Sequence, residues 1–233
     1  MKNIVIEIKD YELNDFKSHK DEIKDYVYLV LLISSKIING SYMKVDDVKK
    51  IHTPFLLIDV CKHSRAFVFI SYNKYYTISY PLNIKILDNT PKLYSTEKGI
   101  EINNQLVSEC IGIVKSLRDG GNFLDVWMEN DEPYTQSSID ILELIFHTEP
   151  SYLRYDYDKI GAKGRQEKHP EHHLDVNMSR RGKYKLGLYE HLSQVDFINL
   201  VKDDTDCLFL SKYKGLNLRK SCNKNIKIKN KKR

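Results

Sequence analysis

Between residues 152 and 188 polar and apolar side chains alternate in three successive runs, and no other feature constrains the fold as much. Successive side chains of a strand point to opposite faces, so strict alternation marks a strand with one apolar face. Over 152–158, Arg154, Asp156 and Asp158 share one face and Leu153, Tyr155 and Tyr157 the other. Over 172–178, His173, Asp175 and Asn177 oppose Leu174, Val176 and Met178. The segment 179–182 reads as a turn. Beyond it Lys183 and Lys185 oppose Tyr184, Leu186 and Leu188. The pattern predicts an antiparallel meander with its charged groups on one face. Such a face is either the ordinary solvated side of an antiparallel sheet or a site. Three of the eight histidines (His169, His172 and His173) fall within five residues here beside aspartates, which favours a site for His173 and Asp175.

The rest of the chain reads as α+β, with antiparallel sheets and packed helices. A short strand or helix opens it at Ile4, Val5, Ile6 and Ile8. Residues 12–38 have helical spacing at Phe16, Ile23, Val27, Val30, Leu31 and Ile37, stopped by Asn39-Gly40. Three β-rich runs follow at about 54–60, 66–72 and 75–87, with a turn at Asn73-Lys74. Pro81 splits the third run or puts it at an edge, and Asn89-Thr90-Pro91 ends the section. Helices are predicted over 98–118, 135–146 (Thr135 or Ser137 as N-cap; Ile139, Leu142, Ile145 and Phe146 inward) and 193–202 (Ser193 as N-cap). Short apolar runs at 123–128 and 207–210 read as strands. Residues 1–211 make one α+β domain, or two packed lobes meeting near residue 90.

Charge divides the chain. Of its 37 Lys and Arg residues, ten lie in 212–233, where there is no Asp or Glu; the remaining 27 face 32 acidic residues. The net charge of +5 thus belongs to a basic, disorder-prone tail on a mildly acidic body. Such a tail, with Lys229, Lys231, Lys232 and Arg233 at its end, suits phosphate backbones, or serves only as a solubilising terminus. The four cysteines (Cys61, Cys110, Cys207 and Cys222) have no metal or disulfide spacing. Together with an acidic N-terminal stretch unlike a signal peptide, and no apolar run long enough for a bilayer, this predicts a cytoplasmic protein without a membrane role.

Two chemistries fit the histidine cluster. His173 and Asp175 could converge on a divalent metal, although H-x-x-H-H-x-D matches no helical zinc motif, and on a strand His172 points away. The metal-free arrangement is the favoured one. His173 with His169 or His172 would serve as base and acid on a phosphodiester, Asp175 would orient an imidazole, and Arg154, Arg180, Arg181, Lys183 and Lys185 would hold phosphate. There is no phosphate-binding glycine loop or nucleophile elbow. His147 reads as a helix cap, and His19, His52, His63 and His191 as structural. Tyr72, Tyr75, Tyr76 and Tyr80 read as strand packing before base stacking.

Arg154-Tyr-Asp156-Tyr-Asp158, followed by His169-Pro170-x-x-His173-Leu and an apolar helix, resembles a group of uncharacterised bacterial domains. These share an R-aromatic-D-aromatic-D…H-P-x-x-H-L signature and lie among mobile and defence-associated genes. The pattern is also similar to some toxins of toxin–antitoxin pairs. The match covers about residues 125–202. It carries over Arg154, Asp156, Asp158, His169, Pro170 and His173, whereas Asp175 is outside the signature. The resemblance implies a bacterial conflict-system effector, of nuclease type and with ribonuclease favoured, partnered by an antitoxin or defence subunit. The alternative is a non-enzymatic docking subunit of a defence complex.

Overall fold

A computed structural model describes residues 2–17, 22–40, 42–43, 54–88, 90–121, 134–164, 169–179, 182–202 and 205. The predicted runs at 123–128 and 207–210 and the basic tail lie outside them, as do His19, His52, Cys207 and Cys222.

The protein is α+β, and all strand pairings among the described residues are antiparallel. β1 (Lys2–Glu7), β2 (Tyr42–Met43), β3 (Phe55–Val60), β4 (Arg65–Ser71) and β5 (Lys74–Ser79) share one sheet with β9 (Leu153–Tyr157), β10 (His172–Val176) and β11 (Tyr184–Leu188). Its order is β11-β10-β9-β5-β4-β3-β1-β2. β3 and β4 are almost continuously apolar because both of their faces are covered. On one face lie α2 (Ile23–Asn39), α3 (Asn104–Arg118) and α4 (Gln136–Phe146), packed on Ile4, Ile6, Leu56, Ile58, Val68 and Ile78. On the other, Phe197 and Ile198 of α6 (Gln194–Leu200) pack on Phe55, Leu57, Phe67, Phe69, Tyr75 and Tyr155. Asn103, Thr135 and Ser193 cap α3, α4 and α6 through their side chains, accepting from Leu106, Ser138 and Asp196 N–H.

Several boundaries differ from the sequence reading. The helix predicted over 12–38 is two helices, α1 (Leu13–Lys17) and α2. Glu22 has an extended backbone and starts α2, and Ile23 in its first turn is exposed rather than buried. Gly40 stops α2 with an extended backbone (φ −77°). A Cβ there would collide with the carbonyl oxygen of Lys36. Ser71 pairs with Lys74, which leaves Tyr72-Asn73 as the turn. Pro81 does split the third β run, and β6 (Asn83–Leu87) begins beyond it. Residues 89–91 do not close the section; β7 (Thr90–Tyr94) starts there and pairs with β6 and with β8 (Glu101–Ile102) in a small sheet. Pro91 stands opposite Ile86 of β6, and β8 pairs only with Leu93 and Tyr94, so the side of Pro91 away from β6 is an open edge. In α4, Ile141 is fully buried while Ile139 and Phe146 are only partly so. Among the described residues no helix is long and apolar enough to cross a membrane.

Phe197 ties α6 to the sheet, meeting the rings of Phe67 (centroids 6.3 Å) and Tyr75 (5.0 Å) edge-on. Emptying that position removes the main anchor of the second layer. Phe197→Ala is expected to cost about 3–5 kcal/mol in urea unfolding; a loss below 1 kcal/mol would mean that α6 contributes little to the fold.

Candidate functional site

The strand register sorts the charged side chains into two adjacent rungs across four strands. Tyr76, Arg154, Asp175 and Lys185 form one; Lys74, Asp156, His173 and Gly187 form the next. Side chains facing each other on neighbouring strands sit about 5 Å apart, near enough to pair. The rungs lie on the sheet face that α2 covers further along. Tyr76 joins the two regions: its ring meets that of Tyr152 (centroids 5.7 Å), and its hydroxyl donates to the carbonyl of Phe16 (3.0 Å).

This polar face is not the solvated side of a sheet. The side chains of Asp175 and His173 are each only 1% exposed, and those of Asp156 and Arg154 13% and 16%. Charges this deep persist only when paired. Arg154 Nη2 bonds Asp175 Oδ2 and lies 2.7 Å from Asp156 Oδ2. Lys185 Nζ is 3.0 Å from Asp175 Oδ1, and Lys74 Nζ is 3.6 Å from Asp156 Oδ1. Burial alone would raise the pKa of Asp175, but Arg154 and Lys185 outweigh it and hold the carboxyl below its usual value. Burial keeps Tyr152, beside Arg154, a neutral phenol with a pKa pushed up to about 12.

His173 is fixed in one tautomer. Its Nδ1 is 2.9 Å from the carbonyl oxygen of Pro170, which can only accept, so Nδ1 carries the hydrogen. Nε2 therefore presents its lone pair to the cluster, 2.9 Å from Lys185 Nζ and 3.8 Å from Asp156 Oδ2. Burial foremost, and then the Lys185 ammonium, hold the His173 pKa below that of ordinary imidazole, against the opposing pull of the Pro170 carbonyl. The segment bearing Pro170 packs on Gly187, where a Cβ would come within 2.8 Å of Pro170 Cγ. The glycine of the second rung thus makes room for the group that sets the tautomer.

Asp158 leaves the strand and caps α5 (Lys159–Ala162), its Oδ1 accepting from Gly161 N–H at 2.7 Å. Its Oδ2 holds His169 Nε2 at 3.0 Å, and the His169 ring meets that of His173 with centroids 4.8 Å apart. His172 points to the other face, its Nδ1 2.8 Å from the hydroxyl of Tyr155 and its ring stacked on Tyr157. The meander's expected faces fail at its end. Asn177 takes a left-handed backbone (φ 69°) and ends the alternation, so Met178 packs with the helix-side core instead of opposite His173. Lys183 lies just before β11. Arg180, Arg181, Lys229, Lys231, Lys232 and Arg233 lie outside the described residues.

His173, Asp175, Arg154, Asp156 and Lys185 thus meet in one cluster, with His169 and Asp158 beside it. His147 caps α4, its Nδ1 2.9 Å from the carbonyl oxygen of Glu143. His191 stacks on Tyr72, and the other three tyrosines of that ladder are buried in the core. Sequence reasoning missed Lys74 and the tautomer-setting carbonyl of Pro170. Lys74 alternates correctly against Tyr75, but nothing local shows that β5 lies beside β9. No protein-family model matches this chain, and no curated protein or solved structure matches it either.

The ion pairs predict a pH signature. The folded-state pKa of Asp175 is depressed, so its stabilisation is complete above the unfolded value of about 3.9 and lost as pH falls through the lower folded value. Asp175→Ala strands Arg154 and Lys185 and is expected to cost about 3 kcal/mol at pH 7. The deficit should shrink below about pH 4 in urea melts followed across pH; an equal deficit at pH 7 and pH 3 would show that the ion pairs are not its source.

Proposed function

We propose that this chain is a nuclease of a bacterial conflict system, antiphage or toxin-like, that cleaves RNA or DNA in the cytoplasm, with RNA the favoured substrate. One observation carries the reading: the groups that phosphodiester cleavage requires converge on two neighbouring rungs. The Asp156–His173–Asp175 trio activates the attacking oxygen at a point where His173 Nε2 already offers its lone pair. Lys74, Lys185 and His169, whose side chains are 41%, 32% and 27% exposed, form the rim where a phosphate arrives, with Arg154 behind them. The basic tail adds sequence-independent affinity for the backbone. The signature shared with defence-associated domains supports the biological setting, with an antitoxin or defence subunit as protein partner.

A second reading, a non-enzymatic docking subunit of a defence complex, draws on two observations. The cluster's charges largely neutralise one another, with Asp175 almost wholly buried and Arg154 and Asp156 mostly so. At the same end of the sheet Tyr184, Leu186 and Tyr189 are exposed.

Induced expression of wild type and His173→Ala in a bacterial host separates the two. Wild type is expected to arrest growth with loss of RNA or DNA, and the folded variant to lose at least about 100-fold in cleavage. Equal effects from both proteins, or no cleavage by purified wild type, would favour the docking subunit. Deleting the residues after 211 should weaken nucleic-acid binding and flatten its dependence on salt; an unchanged salt slope removes the tail from the account.

A further inference from the structure

We infer that Asp156, His173 and Asp175 form a binding site for one divalent metal ion of the Mn2+ or Zn2+ kind, and that Lys185 holds the position of that ion when it is absent. The inference deepens the nuclease reading, shares its site, and says how the trio acts.

Ligand geometry comes first. One ligand atom from each of the three residues can be chosen so that all lie within 4.8 Å of one another. A cation with bonds near 2.0–2.2 Å holds neighbouring ligand atoms roughly 3–3.5 Å apart, so small side-chain rotations close the set. One imidazole nitrogen with two carboxylates suits a borderline cation and leaves open positions for water or phosphate. The imidazole is also prepared for this. A metal-bound histidine donates its other N–H to a fixed acceptor, as Nδ1 of His173 does to Pro170, and directs Nε2 at the ion.

A buried carboxylate oxygen points to a cation. Asp175 Oδ1 is wholly buried; Arg154 takes Oδ2, and Oδ1 is left to the ion pair at the centre of the cluster. Its charged neighbour there, the Lys185 ammonium, lies 3.0 Å away and is also 2.9 Å from His173 Nε2. A positive charge therefore already sits between two of the three ligands. Lys185 stands on β11, the last strand of the sheet, with its side chain 32% exposed, so it can swing to solvent as an ion enters. Arg154 stays behind the carboxylates and fixes them through their Oδ2 atoms. A bound cation would supply the nuclease reading with a polarised water beside Lys74 and His169 on the rim where the phosphate arrives. Without one, His173 Nε2 acts as the base.

The test is titration of the purified full chain, stripped with EDTA, with Mn2+ and with Zn2+, followed by calorimetry and by the electron paramagnetic resonance signal of Mn2+. Wild type is expected to bind one equivalent. Asp156→Asn and His173→Gln should each weaken binding at least about 10-fold. Asp156 is the least buried ligand, so Asp156→Asn serves if the His173 variant does not fold. Lys185→Met should bind more tightly than wild type, because the competing ammonium is gone; a purely structural ion-pair cluster would show no such gain. No saturable binding by wild type, binding indifferent to the ligand substitutions, or binding abolished in Lys185→Met overturns the site. Cleavage that persists in EDTA without metal binding overturns the cation and leaves the nuclease standing. One-equivalent binding without cleavage supports the cation site and overturns the nuclease.

Discussion

A carboxylate that water cannot reach organises this end of the molecule. Asp175 stays ionised only because Arg154 and Lys185 flank it from the neighbouring strands. Removing one partner from a buried pair is far more damaging than the net value of the pair suggests, since the remaining charge is left uncompensated. The register of β9, β10 and β11 is bound to this condition. A slip of one residue would turn Asp175 and His173 toward the core formed by Phe197 and Tyr155. The apolar face and the ionic face therefore select the same alignment for different reasons.

The two faces of the sheet divide the work between them. Aromatic packing by Phe67, Phe69, Tyr75, Tyr155 and Phe197 fixes the strands from one side. The helical layer covers the other side over β1 and β3–β5, and the charged rungs occupy the same face over β9–β11. A site built on regular strands is held more rigidly than one built on loops. The connection between β9 and β10 contributes the remaining parts. Asp158 caps α5 and grips His169, Pro170 seats on Gly187, and the Pro170 carbonyl sets the His173 tautomer.

The nuclease and cation-site proposals meet at one atom, His173 Nε2. Its lone pair is held toward two carboxylates and an ammonium in a desolvated setting, where interactions between charges are much stronger than in water. Such a setting suits chemistry on a phosphodiester, which is mostly a matter of placing charge. The same setting suits a structural ion-pair cluster. Cation binding distinguishes the two, since a purely structural Lys185 has no ion with which to exchange.

The sequence by itself determined the three strands of the meander, the sides taken by Arg154, Asp156, His173, Asp175 and Lys185, and the placing of His172 on the opposite face. It also determined the cap at Ser193 and narrowed that of α4 to Thr135 or Ser137, because capping and alternation are local rules that neighbouring residues enforce. Only the tertiary structure decided that the charged face is buried. The alternation of a solvated strand and that of a strand whose polar face is covered look the same along the chain. The pairing of β5 with β9, which brings Lys74 and Tyr76 to the site, spans more than seventy residues and leaves no periodic trace. The start of α2 at Glu22 and the strand beginning at Thr90 were likewise not marked by the local pattern. Residue types and their order specify which groups are available and on which side of a strand they stand. Whether those groups meet water or one another depends on what the rest of the chain lays over them.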